Sequence, residues 1–139
     1  MISDNHSVST IMVADSDADN RYLLRSLLEL KGFHVLLATD GQEAIDTALR
    51  KRPDLVLIQL KLPVVSGFTA IRRMRSCAAL REIPIIAVSL SNPTANRNVA
   101  LAAGCNAHLE DPIEFDALDE LLNQLLPGER LPLASILIQ

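Results

Sequence analysis

Five short apolar runs alternate along this chain with five stretches in which apolar residues recur every three or four positions. The middle run, 55–58, reads Leu-Val-Leu-Ile and is bounded by Pro53 and Pro63. A continuous apolar run of this length with β-branched members predicts a strand buried on both faces, as in the interior of a parallel sheet. Gln59 is its first polar residue and stands at the strand's carboxyl end. Comparable runs at 9–14, 33–38, 84–89 and 107–111 predict four more strands. The first of these turns polar at Asp15, the fourth strand at Ser89 and the fifth at Glu110 and Asp111, before Pro112 breaks it.

Between the strands the period lengthens to that of a helix. Leu23, Leu24, Leu27, Leu28 and Leu30 predict the buried stripe of a first helix, capped by Asp17 or Asp19 and stopped at Gly32. Asp40 and Glu43 have capping-box spacing, and Ala44, Ile45, Ala48 and Leu49 form the apolar face of a second helix. Arg50, Lys51 and Arg52 fall at its carboxyl end, where positive charge is favoured, so they are expected to be solvated rather than to bind nucleic acid. Phe68, Ile71, Met74 and Arg75 predict a third helix ending near Cys77. A weaker pattern at 93–103 ends at Gly104, and Leu118, Leu121, Leu122 and Leu125 mark a fifth helix. Strands alternating with helices predict an α/β domain with a parallel sheet and right-handed crossovers.

Composition narrows the partners more than the fold. The chain has 139 residues, enough for one domain with a real core, and a formal net charge of −4 without any Lys/Arg tract. Charge therefore invites neither nucleic acid nor an anionic membrane. Residues 1–10 are polar and lack the apolar core of a signal peptide, and no apolar run nears the ~20 residues of a membrane helix. Cys77 and Cys105 form no CxxC motif, which points to a reduced, cytoplasmic setting. Residues 1–8 are expected to be a flexible terminus, 9–126 the domain, and 127–139 an apolar tail. Leu131, Leu133, Ile136, Leu137 and Ile138 are too apolar for a solvated linker, so the tail should fold back on the domain or pack on another subunit or a partner. A homodimer through the last helices or the tail is one such arrangement.

The stretch Pro53-Asp54-Leu55-Val56-Leu57-Ile58-Gln59-Leu60-Lys61-Leu62-Pro63, closed by Ser66-Gly67, resembles the central strand and loop of bacterial response-regulator receiver domains. The resemblance runs over about 9–126 and implies a flavodoxin-like, doubly wound (βα)5 fold of strand order 2-1-3-4-5. Receivers carry an acidic pair after the first strand, a phosphoacceptor aspartate after the third, Ser or Thr after the fourth and Lys-Pro after the fifth. The acidic pair and the phosphoacceptor hold Mg²⁺, and a histidine kinase supplies the phosphoryl group. By this resemblance Asp15 keeps the first acidic position and Ser16 replaces the second. Gln59 replaces the phosphoacceptor, Ser89 keeps the hydroxyl, and Asp111 stands where the lysine should precede Pro112. His108 occupies the position of a switch tyrosine or phenylalanine.

Each replacement acts against phosphoryl transfer. An amide is a poor oxygen nucleophile, and one carboxylate with a neutral amide is a weak offer to Mg²⁺. Transfer relies on positioning and on positive charge opposite the phosphoryl oxygens, and an aspartate at 111 reverses that charge. At ~4 Å and an effective dielectric of ~20 one such interaction is worth ~4 kcal/mol. The expectation is a non-phosphorylatable pseudo-receiver with no catalytic residue, metal or cofactor. It would act in two-component signalling by protein–protein contact, with a histidine kinase or another regulator as partner. The family's usual contact surface corresponds to residues 99–126 here.

Several roles stay open at this level. Gln59 either hydrogen-bonds Ser16 or Ser89 or simply ends a strand, and Lys61 either pairs with Asp15 or Asp111 or is an exposed loop lysine. Ser89 could cap a turn, Asp15 could organise the first loop, and His108 either reports pH or is partly exposed and silent. The alternative function is a small-ligand or redox sensor of the quinone type on the same fold, with Cys77 and Cys105 as candidate thiols. An enzyme finds no assembled nucleophile, base and metal set.

Overall fold

The computed structural model describes residues 8–90 and 93–127. The expectations for residues 1–7 and for the tail from 128 lie outside the described residues. The strands are β1 (Thr10–Ala14), β2 (His34–Ala38), β3 (Leu55–Gln59), β4 (Ile85–Ser89) and β5 (Ala107–Glu110). The helices are α1 (Ala18–Leu30), α2 (Gly41–Lys51), α3 (Gly67–Ser76), α4 (Pro93–Ala103) and α5 (Phe115–Leu125), with a short 3-10 turn at Ala78–Leu80 that has no counterpart in the sequence reading. All strand pairs are parallel and the sheet order is β2-β1-β3-β4-β5, as the resemblance implied.

Strand alternation divides the interior into two cores. Ile11, Val13, Leu55, Leu57, Ile86 and Val88 face one side of the sheet, under Leu28 of α1 and Leu118 and Leu122 of α5. Met12, Val56, Ile58, Ile85 and Ala87 face the other, under residues of α2, α3 and α4. Every residue of β3 and β4 is buried, which is why their sequences read as unbroken apolar runs. β5 is an edge strand, and none of its residues is fully buried. This parity decides which polar groups meet at the strand ends. Gln59 continues the Leu55–Leu57 side, toward α1 and α5, and Ser89 continues the Ile85–Ala87 side, toward α4.

The helix starts follow their caps. Asp17 accepts from the backbone N–H of Asp19 (2.8 Å) and Asn20 (3.2 Å), so Asp17, not Asp19, is the cap of α1. Asp40 accepts from the N–H of Glu43 at 2.8 Å, while the Glu43 carboxylate reaches one residue beyond the usual capping box, to the N–H (2.6 Å) and hydroxyl (2.9 Å) of Thr39. Ser66 caps α3. Gly67 then lies directly against the backbone of Gln59 and Leu60, where any side chain would overlap the strand end.

Three leucines depart from the expected stripes. Leu23 (47% exposed), Leu30 (65%) and Leu49 (42%) lie at the margins of their helices. The buried arc of α1 is Leu24, Leu27 and Leu28, at i, i+3 and i+4, and is narrower than the run of leucines suggests. Arg75, counted with the apolar face of α3, is a brace between segments. Its guanidinium donates to the carbonyls of Gly104 (2.7 Å), Ile83 (2.7 Å) and Arg81 (3.1 Å) and to the Asn106 side chain (2.8 Å). At the far end of α1, the ammonium of Lys31 pairs with the Asp119 carboxylate on α5, and both side chains are withdrawn from solvent.

Candidate functional site

The polar ends of β1, β3, β4 and β5 come together at one edge of the sheet, but in two separate groups. Asp15, just past β1, is 7% exposed and its Oδ1 accepts from the N–H of Asp17 at 2.8 Å. It therefore shapes the first loop through the backbone, and Arg21 of α1 supports the same turn by donating to the Asp15 carbonyl at 2.7 Å. Gln59, 9% exposed, accepts through Oε1 from both the N–H and the hydroxyl of Ser16, each at 3.1 Å. A backbone N–H can only donate, so this end of the amide is the oxygen.

The second group lies on the other face. Ser89 Oγ is 2.7 Å from His108 Nε2, across neighbouring strands β4 and β5. Ser89 is thus bonded to His108 and not to Gln59, as their opposite strand parity requires. His108 is half-buried, and burial pushes its pKa below the ordinary imidazole value, reinforced by Arg97 and opposed by Glu110. Lys61 is exposed on the loop after β3, and Asp111 is half-buried, joined to Pro112 by a cis peptide bond. Among the described residues no three His, Cys, Asp or Glu side chains converge as a metal site. Burial raises the Cys105 thiol pKa, which disfavours the reactive thiolate, and Cys77 is a half-buried free thiol.

Asp15, Gln59 and Asp111 also share a pocket of about 150 Å³ between α1 and α5. Val13, Leu24, Leu57, Val88, Ile113 and Phe115 contribute apolar walls. Asn20 and Arg21 are the site residues the sequence reading missed. Polar residues in the first turn of a helix are common, and nothing local marks these two as turned toward β1.

The charge state of Asp15 follows from this setting. Burial raises its pKa above the usual carboxylate value, with the negative charges of Asp17 and Asp111 adding to the effect. Hydrogen bonds from the Asp17 backbone and Asn20 partly oppose the rise. A raised folded-state pKa contributes stability that is present below the unfolded value and lost as pH rises through the folded value. Asn keeps an oxygen for the Asp17 N–H and has no charge to bury. Asp15→Asn is therefore expected to be more stable than wild type near pH 7, with the advantage disappearing below about pH 4. Urea unfolding of both proteins at the two pH values checks this; a difference independent of pH would rule it out.

A parallel sheet of this order, with polar groups gathered at the carboxyl ends of its strands, defines the flavodoxin-like class of α/β domains. The response regulator receiver domain family matches residues 11–123, and the chain belongs to that family, the receivers of two-component signal transduction. The chain is 31% identical over 117 residues to the polar-differentiation response regulator DivK of Brucella anthropi, covering 84% of this chain and 95% of that protein. Among solved structures it is similar to the receiver domain of the sensor histidine kinase PA1611 of Pseudomonas aeruginosa PAO1, which has a magnesium ion coordinated in its active-site cleft. That match has 29% identity, TM-score 0.79, and covers 86% of this chain and 98% of that one. It is also similar to the receiver domain of the Saccharomyces cerevisiae response regulator Ssk1, crystallised with the histidine phosphotransfer signalling protein Ypd1. Here identity is 25%, TM-score 0.77, and coverage 85% and 88%.

Proposed function

We propose that this receiver domain takes no phosphoryl group at position 59 and signals through protein–protein contact alone, without enzymatic activity. The observation that carries the reading is Gln59, a neutral amide whose oxygen is already engaged by the N–H and hydroxyl of Ser16. It has neither the negative charge nor the free oxygen of a phosphoacceptor.

The surroundings support the same reading. Mg²⁺ seeks near-octahedral oxygen ligands with one or two carboxylates. Here the first acidic position alone is kept, Asp15 spends one oxygen on the Asp17 N–H, and burial favours its protonated form. These residues do not fit the ion. Asp111 puts a negative charge beside Asp15 where transfer calls for a positive one. The Ser89 hydroxyl, which in receivers would meet a phosphoryl oxygen, is bound to His108. With these polar groups satisfied internally, the domain holds one arrangement in place of a phosphorylation switch.

The contact surface proposed is α4, β5 and α5, where Val99 (50% exposed) and Leu101 (40%) present apolar side chains to solvent. The complex of the Ssk1 receiver with Ypd1 supports a histidine phosphotransfer protein or a histidine kinase as the class of partner.

Intact mass after incubation with acetyl phosphate and Mg²⁺ tests the proposal. Wild type is expected to gain no phosphoryl mass. A stoichiometric acyl phosphate on wild type would overturn it.

A further inference from the structure

We propose that the pocket between α1 and α5 binds a small primary amine with an aromatic or branched aliphatic tail, the ammonium held by Asp15 and Asp111. The pocket's volume, about 150 Å³, has room for a benzene-sized group. Leu24 of α1, Leu57 and Val88 of the sheet, Ile113 ahead of α5 and Phe115 at its start supply walls for such a tail.

The polar end sets the ligand's sign. Asp15 and Asp111 both line the pocket, and the negative charge of Asp111 bears on Asp15. No Lys, Arg or His is among the lining residues. Arg21, the nearest cation along α1, donates to the Asp15 carbonyl, and Lys61 is exposed on its loop. A neutral apolar ligand would fill the walls and leave the Asp111 carboxylate without a counter-charge and burial still opposing ionisation of Asp15, which an ammonium would favour. A bare cation would answer the carboxylates and leave the walls wet. An aralkyl ammonium satisfies both, combining in one molecule the apolar stem and the charged head that a lysine at 111 would contribute.

Asn20, which also lines the pocket, adds an amide oxygen able to accept from a remaining ammonium proton, whereas the Gln59 oxygen is engaged by Ser16. The inference is independent of whether position 59 takes a phosphoryl group, because it rests on Asp15, Asp111 and the apolar walls.

Calorimetric titration of the full chain near pH 7 tests it with three probes: 2-phenylethylamine, the neutral 2-phenylethanol, and methylamine. Saturable binding of 2-phenylethylamine is expected, about tenfold or more tighter than either control. Asp111→Asn should weaken it severalfold, and Asp111→Lys, whose own side chain enters the pocket, should abolish it. Backbone amide NMR on wild type supplies a second readout that needs no variant. The signals of Asp15, Leu24, Leu57 and Ile113 should move on titration while those of α3 stay fixed. The proposal fails if 2-phenylethylamine does not saturate, if 2-phenylethanol binds as well, if Asp111→Lys binds unchanged, or if the moving signals lie elsewhere.

Discussion

The variant Ser16→Asp/Gln59→Asp/Asp111→Lys is expected to gain one phosphoryl group from acetyl phosphate and Mg²⁺, where the wild-type chain gains none. The three positions fail for different physical reasons and have to be restored together. A carboxylate at 59 returns the nucleophile but, placed beside Asp15 and Asp111, adds a further negative charge with no cation to hold it. A carboxylate at 16 adjoins Asp15 and position 59, and supplies with them the hard oxygen ligands that Mg²⁺ requires. A lysine at 111 reverses a charge interaction worth ~4 kcal/mol at ~4 Å and an effective dielectric of ~20. Its four methylenes have a place to lie, in the apolar pocket on that side of the sheet.

Gln59→Asp alone is accordingly expected to remain unmodified and to melt below wild type, because its new carboxylate lacks both metal and counter-charge. Intact mass and thermal melting of both variants decide the matter. Full modification of Gln59→Asp alone would show that Ser16 and Asp111 are no barrier. A folded triple variant that stays unmodified would show that more than these three groups separates this site from a competent one.

Asp119→Ala should cost about 3–5 kcal/mol of stability by chemical denaturation. It leaves the Lys31 ammonium, whose side chain is fully withdrawn from solvent, without its partner at the junction of α1 and α5. Removing both charges, as Lys31→Met/Asp119→Leu, should recover most of that loss, since a buried pair gains little over well-packed apolar groups once its desolvation is counted. A cost below about 1 kcal/mol for Asp119→Ala would mean that water reaches the ammonium and screens it.

The Lys31–Asp119 pair also marks where sequence reading stops. Its members are 88 positions apart, and each by itself is an ordinary helix residue: Lys31 at a helix end, Asp119 between the apolar positions of an amphipathic helix. Arg75 is a similar case. Its place beside Met74 suggested helix packing, while its guanidinium bonds to chain segments on both sides of β4. Leu23, Leu30 and Leu49 failed in the opposite direction, because periodicity marks a face but not how much of it the sheet covers.

What this sequence determined by itself was the succession of strands and helices, the α/β class and the identity of the groups at the strand ends. Those are consequences of local period, of caps such as Asp17 and Asp40, and of breaks such as Gly32 and Pro112, each readable within a few residues. Only the tertiary structure decided which of those groups meet. Gln59 turned to Ser16 and Ser89 to His108 because neighbouring strands in register send alternate side chains to opposite faces of the sheet. The pocket that Asp15 and Asp111 share is likewise bounded by α1, three strands and the approach to α5. Partnerships of that kind depend on the register and packing of elements far apart in the chain, and no local window of sequence contains them.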